Sequence, residues 1–332
     1  MKMRKILAAV AAATMLCGLT ACSTDGNSND SAEGSNGDKV YNIGICQLLE
    51  HPALDAATEG FKEALTEKLG DKVKFDTQNA QNEATNCTTI TNNFVSAGVD
   101  LIMANATGAL SAAVSATDTI PIVGTSITAY DVALGGSDWQ GKNITGASDL
   151  APIDKQEDML LEIFPNVKKV GIMFCSAEAN SRYQVDEFIK ALEADGIAYK
   201  EYCVADSNEI QAQAQAAAGE CDVIYIPTDN TLANAVETVK NVVVPAKIPV
   251  VAGEEGICGG CGTVTLSISY HDMGYKAGEM AYDILVNGKN PGEMEVGYSP
   301  TAKKYNKEIC AELGITVPDG YTAIAQFIGL NI

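Results

Sequence analysis

The sequence predicts an α/β protein made of two similar doubly wound lobes of parallel sheet, which are joined by a three-segment hinge. Two observations carry this prediction. Short apolar strand patterns alternate with segments whose apolar residues recur at helical spacing. This order of elements occurs twice, with an offset of about 127 residues between Gly44 in the first copy and Gly171 in the second. Repeated strand–helix units of this kind bury a parallel sheet between helices on both faces.

The first copy starts with a buried-strand pattern and continues with a helix that places Ala57, Phe61 and Leu65 on one face. In chain order its elements are a strand at 40–45, this helix, a short strand at 73–75, a helix at 83–97, a strand at 100–104, another helix, and a strand at 120–124.

The second copy repeats the same order, and its helix faces carry Phe188, Leu192 and Val239. Its elements are a strand at 170–174, a helix at 182–194, a short strand at 199–204, a helix at 209–218, a strand at 222–226, a helix from 231, and a strand at 248–253. A single large Rossmann-like sheet is the alternative arrangement.

The tail does not simply extend the second copy, because a strand at 263–269 is followed by a helix at 273–286 and a last helix at 306–313. We infer that the chain crosses back to the first lobe near Ser267 and returns after Asn290. The predicted N-terminal lobe therefore comprises 39–149 and 268–290, and the C-terminal lobe comprises 150–267 and 291–332.

The N-terminus has the pattern of a bacterial lipoprotein signal over residues 1–21. Three basic residues precede an apolar run that ends in Leu19-Thr20-Ala21-Cys22, and the run is too short for a comfortable membrane span. We expect lipid on Cys22, with an ordinary secretory signal as the alternative. Residues 22–38 carry no large apolar side chain and are predicted to be a flexible tether. The expected location is extracytoplasmic, anchored to the cell membrane.

The net charge of −21 argues against nucleic acid and anionic bilayers as partners. Removal of the signal would take away three basic and no acidic residues and leave about −24. The composition, with 46% hydrophobic and 6% aromatic residues, suits an α/β protein. We expect a monomer without cofactor or metal.

Two other classes of protein, a thiol–disulfide lipoprotein and an enzyme, are alternatives to a ligand-binding protein. Cys258 and Cys261 form a C-x-x-C that a thiol–disulfide lipoprotein could use, but they lie in a predicted Gly-rich loop between two strands rather than at a helix start. Zinc lacks support, since the two histidines, His51 and His271, are far from a cysteine pair. No nucleophile elbow, phosphate-binding loop or dinucleotide fingerprint is present, so we expect no enzyme.

Ligands of open parallel sheets bind beyond the carboxyl ends of the strands, so polar residues just after each strand are the candidate site. In the first lobe these are Glu50, His51, Thr107 and Thr125. Thr107 has the alternative role of capping the next helix, and Glu50 and His51 that of exposed loop residues.

The corresponding positions of the second lobe are Asn180, Ser181, Asp229, Asn230 and Glu254. Asp229 is the strongest ligand candidate, although its position equivalent to Thr107 suits a helix cap as well.

Several short motifs occur in an order that resembles the ABC-transporter substrate-binding family whose best-described members bind tryptophan and other aromatic amino acids. The resemblance runs from about Val40 to about Pro318. It rests on Gln47 to Asp55 with Gly60-Phe61, Asn79-Ala80-Gln81-Asn82, Asp100 to Thr107, Asn143-Ile144-Thr145-Gly146, Asn180-Ser181, Pro227-Thr228-Asp229-Asn230, and Tyr270 with Met273-Gly274.

This resemblance implies the type I periplasmic-binding fold, an amino-acid-like ligand, and permease subunits of an ABC importer as partners. A sensor that presents itself to a membrane receptor is the alternative. With such a ligand, we expect Asp229 to bind the ammonium, and Thr107, Thr125 and Ser181 to bind the carboxylate together with backbone N–H groups. Asn180 and Asn230 are expected to orient the ligand, and Glu50 or His51 to border its side chain.

Overall fold

A computed structural model describes residues 39–324 of the chain. The predicted signal, the lipidation at Cys22 and the tether lie outside the described residues. The elements of the first part of the chain are β1 (Tyr41–Gln47), α1 (Pro52–Leu69), a 3-10 turn (Gly70–Lys72), β2 (Val73–Asn79), α2 (Ala84–Ala97), β3 (Leu101–Asn105), α3 (Thr107–Ala116), β4 (Ile122–Ile127), α4 (Tyr130–Ala133), β5 (Ile144–Ser148) and α5 (Ile153–Ile163).

The remaining elements complete a second lobe and return once to the first. They are β6 (Lys169–Cys175), α6 (Ala179–Ala194), β7 (Ala198–Val204), a 3-10 turn (Ser207–Glu209), α7 (Ile210–Glu220), β8 (Val223–Ile226), α8 (Asn230–Ala233), α9 (Val236–Val243), β9 (Val250–Ala252), α10 (Glu255–Gly260), β10 (Val264–Ile268), α11 (Tyr270–Leu285), a 3-10 turn (Pro291–Glu293), β11 (Gly297–Tyr298), β12 (Thr301–Tyr305), α12 (Lys307–Leu313) and β13 (Thr322–Ala323).

The described residues form two separate sheets, which confirms the predicted two-lobed α/β fold. The first sheet has the order β11-β5-β4-β3-β1-β2 and the second the order β13-β12-β10-β9-β8-β6-β7. All pairs among β1 to β5 and among β6 to β10 are parallel, as the repeated strand–helix units predict, and β12 alone runs antiparallel to its neighbour β10.

The chain passes between the sheets three times. It leaves the first sheet after β5, comes back from β10 to α11, and leaves again between β11 and β12. The strand β11 pairs in parallel with β5 of the first sheet, through Gly297 with Ala147 and Tyr298 with Ser148. The last crossing therefore lies between Tyr298 and Thr301, later in the chain than the predicted return after Asn290.

The helix α11 packs tightly on α1 and ties the returning segment to the first lobe. Its apolar face joins one core with the β1 and α1 side chains of Ile43, Ala57 and Phe61. Close approach depends on glycine, because a Cβ atom on Gly274 would lie 2.0 Å from the backbone oxygen of Ala57. This close packing of α11 on α1 holds the returning segment of the chain in the first lobe.

Two local predictions were wrong. The helix expected from Thr231 is broken into α8 and α9, because Ala235, with φ of −123° and ψ of 24°, leaves helical geometry. The Gly-rich segment around Cys258 is the short helix α10 rather than a loop, because the Glu254 side chain caps the backbone N–H groups of its first turn. Within residues 39–324, no helix has the length and apolar character that a membrane crossing needs.

Candidate functional site

A small enclosed cavity lies between the lobes, beyond the carboxyl ends of strands from both sheets. Its volume is about 10 Å³, which is close to the space that one water molecule needs. Its lining comes from both lobes and from the start of α11: His51, Leu54, Ser126, Asp149, Asn180, Thr228, Asp229, Asn230, Ala233, Glu254 and Tyr270. This is the position that the strand-end rule predicts for a ligand.

Asp149, directly after β5, is a buried acid held by two hydroxyl groups. Its Oδ1 accepts a hydrogen bond from Thr128 Oγ1 at 3.0 Å, and its Oδ2 accepts one from Tyr270 Oη at 3.0 Å. Burial raises the pKa of Asp149 to about 6, although both hydroxyls favour the charged form. Because a carboxylate has about four acceptor positions, Asp149 can take further donors from a ligand.

Asp229 is both part of the cavity wall and the N-cap of α8. Its Oδ1 accepts from the backbone N–H of Leu232 at 2.9 Å, and its Oδ2 accepts from the backbone N–H of Cys175 at 2.7 Å. Burial raises the pKa of Asp229 to about 8, with the neighbouring Glu178 as a second cause, and the two N–H donors act in the opposite direction. The side chain therefore joins the end of β6 to the start of α8.

Glu254 follows β9, and it is likewise both part of the cavity wall and the N-cap of α10. It accepts hydrogen bonds from the backbone N–H groups of Gly256, at 2.6 Å, and Ile257. Burial raises the pKa of Glu254 to about 7, and Glu255 and Asp149 add to this rise through repulsion. Acids of both lobes, Asp149 from the first and Asp229 and Glu254 from the second, therefore line the same cavity.

The groups around the cavity are mainly hydrogen-bond acceptors. Its lining contains three carboxyl groups and neither lysine nor arginine. His51 is buried, which lowers the pKa of its ring, and its Nδ1 has no hydrogen-bond partner. The hydroxyl of Ser126 donates to Asn105 Oδ1 at 2.7 Å, so only its lone pairs remain for a ligand. Such a lining suits a cationic group with several N–H donors.

Three side-chain hydrogen bonds connect the two lobes near the cavity. His51 Nε2 lies 3.2 Å from Asn230 Oδ1 in a buried contact. Asn82 Nδ2 donates to Thr231 Oγ1 at 3.2 Å, and Gln184 Nε2 donates to Thr128 Oγ1 at 3.4 Å. The described arrangement is therefore one in which the lobes touch.

Five of the nine residues predicted for the site line the cavity: His51, Asn180, Asp229, Asn230 and Glu254. The other four lie elsewhere. Glu50 is exposed in an outer groove with Asp55 and Lys62. Thr107 is half-buried as the first residue of α3, and Ala106 rather than Thr107 occupies the N-cap position.

Thr125 and Ser181 are completely buried beside the cavity wall rather than in it. The Ser181 hydroxyl donates to the backbone oxygen of Thr228 at 3.4 Å and accepts from Asn180 Nδ2 at 3.3 Å. Both of these hydrogen-bond partners belong to the second lobe. Thr125 Oγ1 has no partner and precedes the cavity residue Ser126.

Sequence reasoning missed six lining residues. Ser126 and Thr228 adjoin predicted positions, and the strand-end rule applied to residues 144–148 would have found Asp149. Tyr270 belongs to a motif that carried the resemblance, without a role of its own. Leu54 and Ala233 have no polar signal that could have singled them out.

The backbone around the first-lobe side of the cleft is strained. Ala106 has φ of 85° and Ser126 has φ of 57°, in the left-handed region that non-glycine residues rarely adopt. Both lie at the carboxyl ends of adjacent strands, β3 and β4. Strain of this kind persists where the surrounding structure demands it, and it concentrates at binding sites.

The cysteines of residues 39–324 are all free thiols. Cys258 and Cys261 are buried, and burial raises the pKa of both thiols. A reactive thiol needs an accessible position and a lowered pKa, so neither property of a thiol–disulfide site is met at this pair.

Two parallel-sheet lobes around a polar interlobe cavity define a two-lobed solute-binding protein of the type I periplasmic-binding fold. A family model described as ABC transporter substrate binding protein matches residues 42–327. The chain belongs to this family.

Three relatives are informative. The chain is 37% identical over 303 residues to a tyrosine-binding protein of Clostridioides difficile (strain R20291), covering 89% of this chain and 88% of the relative. It is 31% identical to an ABC domain from Streptococcus pneumoniae in complex with L-Trp, with a TM-score of 0.81 over 86% of this chain and 100% of that one. A ligand-free, open substrate-binding protein with adhesive properties from Clostridium difficile is 35% identical, with a TM-score of 0.68 and the same coverage.

Proposed function

We propose that this chain is a lipid-anchored, extracytoplasmic solute-binding protein of an ABC importer, and that its ligand is an amino acid with an aromatic side chain. The observation that carries the proposal is the interlobe cavity lined by Asp149, Asp229 and Glu254 without lysine or arginine. The aromatic side chain is supported by the relatives, one named for tyrosine and one solved with L-Trp.

The ammonium group of the ligand is proposed to bind at the three acids. Each acid is buried and has a raised pKa, so a cation would recover part of the free energy that burial costs the charged form. An ammonium also brings three N–H donors to a cavity rich in acceptors. Asp149 is the acid best suited to this contact, since hydroxyls rather than backbone N–H groups hold it.

The carboxylate is proposed to bind on the first-lobe side. In the second lobe, Ser181 already bonds within its own lobe. In the first lobe, Thr125 Oγ1 is a buried hydroxyl without a partner, next to the cavity residue Ser126. A small movement of β4 on ligand entry would give this hydroxyl a carboxylate to donate to.

Ligand entry requires the lobes to separate, because a cavity of about 10 Å³ is far smaller than any amino acid. The comparison supports two arrangements in the family. The chain matches the L-Trp complex with a TM-score of 0.81 and the ligand-free, open protein with 0.68, although the open protein is the more similar in sequence. The proposed cycle is capture by an open form, closure on the ligand, and recognition of the closed form by the importer.

The proposal is tested by a ligand screen of the soluble protein from Asn27 onward, refolded to remove any bound compound. L-tyrosine, L-tryptophan and L-phenylalanine are compared with aliphatic amino acids, sugars and nucleosides by thermal shift and calorimetry. Ligand at a hundred times its dissociation constant should add about 2.7 kcal/mol to the unfolding free energy. Tyramine, which keeps only the amine, should bind better than 3-(4-hydroxyphenyl)propanoate, which keeps only the carboxylate.

The ammonium contact is tested by changing aspartate to asparagine at two positions of the first lobe, one in the cavity and one outside it as the control. Asp149→Asn should weaken binding about ten- to a hundred-fold, the loss expected for one charged hydrogen bond. Asp118→Asn, at an exposed position outside the cavity, should leave affinity unchanged. A selective response to sugars or nucleosides would refute the amino-acid ligand while keeping the binding class.

The lipid anchor has its own test. The full chain, expressed in a bacterium that processes lipoproteins, should be found in the membrane fraction with an acylated N-terminal cysteine by mass spectrometry. Cys22→Ser should release the protein from membranes. Membrane association that persists in Cys22→Ser would refute anchoring at this residue.

A further inference from the structure

Glu178 occupies an unusual position just before α6, next to the cavity but not in its lining. Its buried carboxylate accepts five hydrogen bonds. They come from the backbone N–H groups of Asn230 at 3.0 Å and Thr231 at 2.8 Å, from Asn230 Nδ2 at 2.7 Å, from Thr231 Oγ1 at 2.8 Å, and from Asn180 Nδ2 at 3.2 Å. Two of these donors belong to side chains that also reach the first lobe.

The contact with Glu178 determines which way the Asn230 amide points. A carboxylate can only accept hydrogen bonds, so the amide nitrogen Nδ2 must face Glu178. The amide oxygen Oδ1 then faces the other way, toward His51 Nε2 at 3.2 Å. Thr231 is ordered in the same manner, since its hydroxyl donates to Glu178 and is left to accept from Asn82 Nδ2.

The orientation of Asn230 in turn determines the state of the His51 ring. Because Asn230 Oδ1 is an acceptor, His51 Nε2 must carry the hydrogen in this contact. Burial favours the neutral ring, in which the other nitrogen is then an acceptor. That nitrogen, Nδ1, is buried and unpartnered in a side chain that lines the cavity.

We infer that Glu178 is a positioning residue for ligand recognition. Through Asn230 it holds His51 as the Nε2–H tautomer, so that Nδ1 accepts a hydrogen bond from an N–H or O–H group of the ligand. The same interaction fastens the lobes together at His51. This inference rests on the proposed function for the identity of the ligand, but the tautomer of His51 is a property of the protein alone.

The tautomer is measured by nitrogen-15 NMR of histidine-labelled protein. The chain has two histidines, and His271→Gln leaves the His51 ring as the single signal. In this background, the spectrum should show a hydrogen on Nε2 and none on Nδ1, with and without L-tyrosine. Glu178→Gln should give a mixture of tautomers, because a glutamine amide both donates and accepts and no longer fixes the Asn230 amide.

A second variant covers the case in which Glu178→Gln fails to fold. Asn230→Ala removes the acceptor for His51 while the backbone contacts with Glu178 remain, and it should produce the same mixture. The control is Glu187→Gln on α6, the helix that follows Glu178, where the lost partner is the exposed Lys190 and the tautomer should stay unchanged. The dissociation constant for L-tyrosine should rise about ten- to a hundred-fold in Glu178→Gln and in Asn230→Ala, and it should stay unchanged in Glu187→Gln.

The outcomes separate the two proposals. An Nδ1–H ring in the otherwise unchanged protein, or a tautomer that Glu178→Gln and Asn230→Ala leave intact, would overturn the role of Glu178. A protein that binds none of the aromatic amino acids but shows the expected tautomers would refute the proposed function and support the role of Glu178. Weaker L-tyrosine binding without a change of tautomer would also overturn the inference, because it would reduce Glu178 to a structural residue.

Discussion

Asp229 has two roles in the structure that a pair of substitutions can separate. As the N-cap of α8 it accepts from Leu232 N–H, and through its second oxygen it accepts from Cys175 N–H. As part of the cavity wall it offers a carboxyl group whose charged form the proposed ammonium would stabilise. Asp229→Ala removes both roles, whereas Asp229→Ser removes the charge and retains a good capping oxygen.

The magnitudes follow from these contacts. Loss of the cap costs about 1 kcal/mol, and loss of a charged hydrogen bond to a buried N–H group costs about 1.5–3 kcal/mol. Asp229→Ala should therefore lower the unfolding free energy by about 2.5–4 kcal/mol, and Asp229→Ser by about 1 kcal/mol less. If the carboxylate binds the ligand ammonium, both variants should lose about ten- to a hundred-fold in affinity.

The assay combines urea unfolding, which gives stability, with calorimetric titration of L-tyrosine below the unfolding transition. The expected result is a difference between the variants in stability and none in affinity. Full affinity in Asp229→Ser, with weakened binding in Asp229→Ala, would refute the ammonium contact. The cap and the contact with Cys175 would then be the whole role of Asp229 between β6 and α8.

Three further predictions concern pH, a buried acid and a helix contact. Burial raises the pKa values of Asp149 and Glu254, so the folded state binds more protons than the unfolded state, and the stability of the ligand-free protein should fall as pH rises from about 4 to 7. The affinity for an amine should rise over about pH 5–7, because the same groups become charged. Urea unfolding and calorimetric titrations that do not depend on pH would contradict this prediction. Glu157→Gln should add about 1–3 kcal/mol at pH 8 and nothing at pH 4, because burial raises the pKa of Glu157 to about 7 and the glutamine has no charged form to bury. An equal gain at both pH values in urea unfolding would count against this prediction. Gly274→Ala should cost about 1–3 kcal/mol by forcing α11 away from α1, whereas Gly219→Ala, in open space, should not destabilise the protein.

The fold could be predicted because each lobe is built from local patterns that repeat. Strands such as β3 are continuous apolar runs over residues 101–104, and helices such as α11 place Met273, Ala277 and Ala281 on one face. The strand-end rule then located His51, Asp229 and Glu254 at the cavity. These residues were accessible to sequence reasoning because their position depends only on where a strand stops.

The remaining site residues depend on contacts between distant parts of the chain. Asp149 is held by Tyr270 across 121 positions, and Glu178 meets Asn230 across 52. Periodicity carries no information on such pairs, since it describes which face of an element is buried and not what faces it. For the same reason, the sequence does not show that Ala106 takes the N-cap position before Thr107, or that the Ser181 hydroxyl donates to the backbone oxygen of Thr228.

The distribution of the acids between the lobes gives a physical reason for ligand-dependent closure. Asp149 belongs to the first lobe, whereas Asp229 and Glu254 belong to the second. In the described arrangement, repulsion from Asp149 contributes to the raised pKa of Glu254. Closing the cleft therefore brings like charges together in a medium of low dielectric constant, which opposes closure at neutral pH. An ammonium between them attracts the carboxylates of both lobes, and these attractions outweigh the repulsion and favour the closed form. The same groups that give selectivity for a cation thus also provide the differential affinity without which a ligand cannot shift a conformational equilibrium.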